Sequence, residues 1–404
     1  MKVRIRNRVY FSDCILFFII IMPIVDCING YFQETPLSVI GPIYRLLMIL
    51  LTSCVIAKCR NKKNLIFTFG VSSYFLLHDL IFIIFDSKNN NISILTERTL
   101  KYIYVILLIE ALCVLITTKK INLEDIENVL GFLSWLYPIL LIFPKLIGAS
   151  GTNMYSDSGY KGFYYSGNAV SIAMVFSLFV AMNFLYKKPN LKNSFRAILC
   201  LAVQLLIGAK TNYIFVVLIL GFFAFKVFNI SKLKNLKTLV VLGILILAGI
   251  VSIKYWFADE IARIIARQNY LFSAYDRNWI QYLTSNRSIR IEEQLIQFNN
   301  NPINIVFGMG YRQASINNFV EMDFFDLLFR YGLIITVVLI LFYFSFLKQG
   351  SYEKTNYLIL YLIMLVFAMV VGHVFCDAMS GTLMALVIAS LKCNYNNEKC
   401  RGFV

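Results

Sequence analysis

Apolar residues in this chain fall in long unbroken runs rather than at the alternating or helical spacing of a soluble core. A helix needs about 20 such residues to cross a bilayer. On that measure twelve stretches qualify, approximately 10–25, 37–57, 65–85, 101–117, 129–148, 168–185, 196–208, 212–230, 238–257, 326–346, 356–375 and 379–392. Only GAKT parts the seventh from the eighth, so they read as two helices or as one broken helix. A long polar segment, 258–325, interrupts the series, and a smaller one occupies 149–167. The pattern predicts an all-α polytopic membrane protein of about twelve spans, with residues 1–404 forming one integral membrane domain.

Composition agrees. Hydrophobic residues make up 59% of the chain and mean hydropathy is +0.70, too apolar for a soluble protein of 404 residues. A net charge of +16 invites a nucleic-acid reading, but the positive residues cluster in short loops between apolar runs. If the loops alternate sides, 23 of the 38 Lys and Arg fall on one side, whereas 26–36, 149–167 and 376–378 together hold only Lys161. The positive-inside rule then puts both termini in the cytoplasm, with 149–167, the turn at Lys210 and 258–325 facing out. The six Arg of 258–325 do not disturb this, because long segments translocate largely regardless of charge. The basic stretch Lys2–Arg8 before an apolar run mimics a signal peptide, but no small-x-small site follows, so it reads as a retained first helix. Nine Cys without a CxxC, and only two His (His78 and His373), predict neither a disulfide framework nor a metal site. No cofactor is expected.

The outer segment has its own pattern. Ile261, Ile264 and Ile265 alternate with Glu260, Arg263 and Arg267, predicting a short amphipathic helix on the membrane surface. Ser285 and Asn286 stand where they can cap a second helix, with Ile291, Leu295 and Phe298 along one face. The run Asn299–Asn300–Asn301–Pro302 ends that helix, and Gly308 and Gly310 predict a tight turn.

Four groups of residues carry candidate chemistry. Glu321, Asp323, Asp326 and Arg330 stand at the entrance to the tenth apolar run, where acids are costly unless paired or used. One reading is an Asp326–Arg330 intrahelical pair beside two hydrated loop acids. The other is a general base at the water–lipid boundary, its pKa raised by desolvation. The outward cations Lys210, Arg277, Arg287, Arg290 and Arg312 suit either lipid headgroups or a diphosphate. In 150–168, Tyr155, Tyr160, Tyr164 and Tyr165 with Asp157, Lys161 and Asn168 fit carbohydrate or an interfacial aromatic belt. Within the apolar runs, Arg45 and Glu110 read as a buried structural pair, while His78–Asp79, Lys145, His373 and Asp377 are further intramembrane polar groups.

In order along the chain, GFYYSGN opens an outer helix end, LLIGAKT makes a turn, and a late outer loop carries Arg. A PxxxxFGMG turn, VEMDFFDLLFRYG and GHVF follow. This order resembles the Wzy-type O-antigen polymerases and, more distantly, the O-antigen ligases, most closely over 287–332. The resemblance implies a GT-C-like fold and inverting, metal-independent glycosyl transfer at the periplasmic face of the bacterial inner membrane. Donor and acceptor would both be undecaprenyl-diphosphate-linked glycans, and a chain-length regulator protein would be a partner. Where the family commonly reads SR, this chain has Ala209–Lys210, which keeps the charge but loses bidentate geometry. Arg287 or Arg290 matches the loop arginine. Where ligases tend to carry a His, this chain has Glu321, which points to the polymerase branch. The resemblance thus implies Glu321 or Asp323 as base and Lys210, Arg287 and Arg290 as diphosphate ligands. Tyr160, Lys161, Tyr164 and Asn168 would bind glycan, and Arg312, Asp326 and His373 stand behind them. The alternatives are an O-antigen ligase, a lipid-linked glycan flippase or transporter, and a non-catalytic scaffold. No internal repeat favours the transporter.

Overall fold

Apolar runs bounded by charged loops fold into antiparallel helices, because a backbone in hydrocarbon must satisfy its own polar groups. The computed structural model describes residues 11–401, except 34, 59–61, 86–91, 150, 156–157, 228–257, 311–318 and 351–355. Helices α1 (Phe11–Tyr31), α2 (Ile40–Lys58), α3 (Lys62–Phe85), α4 (Ile92–Thr117) and α5 (Leu123–Leu146) come first. A two-stranded antiparallel hairpin, β1 (Thr152–Tyr155) and β2 (Ser158–Gly162), leads into α6 (Gly167–Lys187), α7 (Leu191–Ile207) and α8 (Lys210–Val227). The outer segment contributes α9 (Ala258–Ala274), α10 (Trp279–Thr284), α11 (Arg287–Asn299) and α12 (Pro302–Phe307). Last come α13 (Asp323–Ser345), the single turn α14 (Leu347–Gly350), α15 (Asn356–Val370) and α16 (Ala378–Arg401).

The protein is therefore all-α apart from the hairpin. Among the described residues seven helices are long and apolar enough to cross a membrane, and two shorter apolar helices, Asn356–Val370 and Ala378–Cys393, accompany them. The ninth expected run, 238–257, lies outside the described residues. The GAKT segment parts two helices: Gly208, at φ 66°, ends α7, and α8 starts at Lys210. With 17 and 18 residues, α7 and α8 are each about 25–27 Å long, on the short side for a span.

α4 is apolar on every side and is 94% buried over its spanning window, so it runs through the middle of the bundle against α2, α3 and α16. Only 28% and 33% of the windows in α2 and α3 are buried. These peripheral helices expose Leu46, Leu50, Leu77 and Ile81 outward, an apolar exterior suited to lipid. Arg45 and Glu110 do not form the expected pair. Arg45 bonds Asp26 at 3.2 Å, whereas Glu110 accepts from Asn64 at 2.7 Å. Glu97 lines the same cavity as Arg45, and Glu110 follows Glu97 by thirteen positions, roughly 20 Å further down α4.

The FGMG turn closes a break in α13. Gly332 leaves helical geometry at φ 84°, ψ 177°, which frees successive carbonyls. Met309 N–H donates to Phe329 O at 2.8 Å and Gly310 N–H to Arg330 O at 3.1 Å. Tyr74 donates its hydroxyl to Tyr331 O at 2.7 Å, and Thr336 donates its own to Gly332 O at 2.8 Å. All four carbonyls of the kink are thereby satisfied. A Cβ on Gly308 would stand 2.2 Å from Arg330 O, and one on Gly332 2.2 Å from Val306 O, both at φ values closed to other residues. Gly308→Ala and Gly332→Ala are each expected to cost about 2–4 kcal/mol. Thermal unfolding in detergent should show a clear fall in midpoint for either. Gly221→Ala, whose Cβ meets nothing within 4 Å, should be neutral or slightly stabilising.

Candidate functional site

Alternation of the helices brings one set of ends together: the C-termini of α1, α5, α7 and α15 and the N-termini of α2, α4, α6, α8, α13 and α16. The basic loop residues Lys58, Lys62, Lys119, Lys187 and Lys348 sit at the opposite ends. Over the first set of ends lie α9–α12. Lys210, at the head of α8, donates to the Tyr282 carbonyl of α10 and stands 4.5 Å over the Tyr282 ring. The Tyr282 hydroxyl donates to Gln268 of α9 at 2.8 Å. These contacts fix the outer helices as a roof.

Beneath that roof is a cavity of about 490 Å³. It is lined by Lys161, Asn168, Lys210, Arg287, Arg290 and Glu321, all singled out in the sequence, and by Arg267, Gln268 and Tyr275, which were not. Five cations face one carboxylate. Arg267 was legible only as part of the polar face of α9. The side chains of Ile261, Arg263 and Ile264 on that helix, together with Arg312 and Asp157, lie outside the described residues. Arg277 is exposed and does not line the cavity.

α11 positions the two arginines. Its buried face is Arg287, Gln294 and Phe298, with Ile291 packed alongside; Leu295, expected there, is 44% exposed. Gln294 takes the inner position because Arg330 donates to it at 3.4 Å. Ser285 and Asn286 mark the start of this helix as expected but not by side-chain capping. Both adopt left-handed backbone, at φ 53° and 68°, and the Asn286 side chain makes no cap bond. The resulting sharp turn swings Arg287 inward. Its Nη2 donates to Glu321 Oε2 at 3.1 Å and Nη1 to Val370 O at 3.4 Å, while its buried Nε has no partner. Arg290 reaches Glu321 Oε1 at 3.5 Å and Phe319 O at 3.2 Å.

Glu321 is 38% exposed and sits at φ 63°, an uncommon backbone state for a residue with a side chain. Its carbonyl packs on Gly372, where a Cβ would come within 2.4 Å, and the neighbouring His373 is also at φ 63°. Partial burial pushes the Glu321 carboxyl up, but the guanidinium of Arg287, with Arg290 behind it, outweighs that and holds it below the usual carboxylate range. For Glu321 this corrects the expectation of a raised pKa: the resting carboxylate is paired and anionic. Burial, with Arg98 nearby, drives His373 down to about 3, so its ring is neutral.

Asp323 and Asp326 are arranged as supports. Asp323 is fully buried and accepts from the backbone N–H of His373, Val374 and Phe375 and from the Cys376 thiol. Asp326 accepts from Val320 N–H at 2.9 Å, and Arg330 donates to Gly310 O at 2.9 Å. Two of the residues expected to bind glycan also point elsewhere. Tyr164 is 1% exposed beside Tyr137, and Tyr160 is 8% exposed under the Lys145 ammonium, so neither offers a ring face to a ligand. Hairpin packing turns them inward, and among the described side chains of 159–168 the exposed tyrosine is Tyr165.

Five cations around one carboxylate give the cavity an excess of positive charge, which favours an anion. Among the described residues no three His, Cys, Asp or Glu side chains gather as metal ligands would. No protein-family model matches the chain, and no curated protein matches it. The functional reading therefore rests on the cavity's geometry together with the sequence resemblance.

Burial, with Arg287 adding to it, lowers the Lys210 ammonium to about 8. Its folded-state pKa lies below that of a free lysine, so it is charged below about pH 8 and loses its proton as pH rises through that value. Anion affinity should follow. Pyrophosphate binding to the solubilised protein, measured by calorimetry, is expected to weaken several-fold above about pH 8. Lys210→Arg, whose guanidinium keeps its proton, should abolish that alkaline limb. An alkaline limb unchanged in the Arg variant would remove Lys210 from the anion site.

Proposed function

We propose that this chain is a membrane glycosyltransferase of the O-antigen polymerase kind, joining undecaprenyl-diphosphate-linked oligosaccharide repeat units in the bacterial inner membrane. The observation that carries the reading is the cavity at the helix ends, where Lys161, Lys210, Arg267, Arg287 and Arg290 surround the single carboxylate of Glu321. A buried, unpartnered Arg287 Nε adds a donor with no protein acceptor. A diphosphate leaving group needs this kind of charge neutralisation. In this reading the cavity faces the periplasm and both termini are cytoplasmic, in keeping with the basic loops at the opposite helix ends.

The geometry suggests how the reaction runs. The donor diphosphate lies on Lys210, Arg287 and Arg290 and competes with Glu321 for the two guanidiniums. Glu321 then loses part of its counter-charge and becomes a stronger base. It takes the proton of an acceptor hydroxyl as that oxygen bonds to the anomeric carbon. The bond from that carbon to the diphosphate oxygen breaks, and the diphosphate departs with the electron pair, its charge held by the side-chain cations. One displacement inverts the anomeric centre.

A silver-stained lipopolysaccharide gel from a clean deletion tests the reading. The expected result is a core bearing one repeat unit with the ladder gone. Bare core with polymer left on the lipid carrier would instead assign a ligase. Bare core with single units held in the cytoplasmic leaflet would assign a flippase, and an unchanged ladder would overturn the reading.

A further inference from the structure

A second cavity, of about 330 Å³, opens at the same helix ends between α1, α2, α4 and the start of α16. It shares Ser166 with the cationic cavity, and Tyr165 stands at its side. Its electrostatics differ. Asp26, Glu97 and Asp377 are set against Arg45 and Lys101, and the cations are already engaged: Arg45 with Asp26 at 3.2 Å and Lys101 with Glu97 at 2.5 Å. The lining thus has a small excess of negative charge, so a second anion is disfavoured there.

What remains is hydrogen-bonding capacity. Asp26 is 7% exposed, and its Oδ2 is buried without a partner while Oδ1 holds Arg45. A buried carboxylate oxygen left unpaired is costly, so its natural complement is a donor brought by a ligand. Asn29, Gln33 and Ser38 add amide and hydroxyl groups. Tyr165, 53% exposed, offers the only ring face among the tyrosines of the described 158–168 stretch that is not packed inward. A carboxylate for hydroxyls, amides beside it and a ring for a C–H face suit a neutral polyhydroxylated ligand.

We infer that this second cavity binds a sugar residue of the acceptor glycan, on the far side of Ser166 from the diphosphate site. The inference rests on the glycosyltransferase reading, which needs two substrates held side by side. It assigns the anion to one cavity and the incoming carbohydrate to the other. It also gives Tyr165 the contact that the inward-packed Tyr160 and Tyr164 do not make.

The test uses full-length protein in nanodiscs and two probes. One is the repeat-unit oligosaccharide released by mild acid from the lipid carrier of a deletion strain, and it carries no diphosphate. The other is inorganic pyrophosphate. Tyr165→Ala and Asp26→Asn are each expected to weaken oligosaccharide binding tenfold or more, read by saturation-transfer NMR, while pyrophosphate affinity in the same preparations stays unchanged. Arg287→Ala should do the reverse. Retained pyrophosphate binding establishes that each variant is folded, and Tyr165, being exposed, can be removed without disturbing a core. Unchanged oligosaccharide binding in both variants, or none in the wild type, overturns the inference and leaves the diphosphate site standing. Failure of the wild type to bind pyrophosphate would bring down the functional reading itself.

Discussion

Glu321→Gln is expected to lower polymerisation turnover by about 10²–10⁴-fold while leaving donor binding unchanged or tighter. Glutamine keeps the shape and can still accept from Arg287, but it cannot take a proton. It also carries no charge, so it does not compete with a diphosphate for Arg287 and Arg290, which Glu321 holds at 3.1 and 3.5 Å. A merely structural ion pair predicts the opposite: loss of the carboxylate would loosen both arginines and weaken donor binding together with turnover. The pH profile separates the two further. In the free protein the Arg287 contact keeps Glu321 below the usual carboxylate range, although burial works the other way. With the donor bound, its pKa rises. Because kcat/KM reports the free enzyme and kcat the complex, the acid limb of kcat should lie at higher pH than that of kcat/KM. Coincident limbs, or full activity in the Gln variant, would remove Glu321 as the base.

How much of this was readable in advance divides along one line. Depth along the membrane normal is written in the sequence, because helix length and alternation of charged loops set it. Lys161, Asn168, Lys210, Arg287, Arg290 and Glu321 could therefore be assigned to one end, and they do line one cavity. Rotation about each helix axis, and which helix stands beside which, are not written there. Arg45 was assigned the wrong partner because Glu110, although in a neighbouring helix, sits more than three turns deeper, while Asp26 was overlooked. Leu295 fits the apolar spacing of α11 as well as Gln294 does, and only Arg330, reaching over from α13, decides for Gln294. Arg267 is legible in the sequence only on the polar face of a surface helix, and the fold of α9 brings it to the cavity beside Lys210. Arg287 and Arg290 stand as alternatives for the loop arginine in the sequence, and in the fold both reach Glu321.

Asp323→Ala is the second large effect, and it should appear as a structural loss. The Asp323 carboxylate is fully buried and accepts three consecutive backbone amides, His373 and Val374 at 2.7 Å and Phe375 at 2.8 Å, with the Cys376 thiol at 3.3 Å. No base is free to serve an incoming substrate while its oxygens are so occupied. The same bonds shape the loop between α15 and α16, which presses Gly372 on the Glu321 carbonyl and carries Asp377 to the smaller cavity. Alanine would strand three buried donors at about 1–3 kcal/mol each, though not additively, for a total loss of about 3–5 kcal/mol. Asparagine, keeping one acceptor oxygen but turning an NH₂ toward an N–H, should fall between. The thermal midpoint in detergent should drop accordingly. Cys376, 4% exposed in the native protein, should become reactive to maleimide, read at its own peptide by mass spectrometry. A variant with native midpoint and protected Cys376 but no turnover would make Asp323 the proton acceptor after all. Loss of protection together with turnover makes it the anchor that holds Glu321 in place.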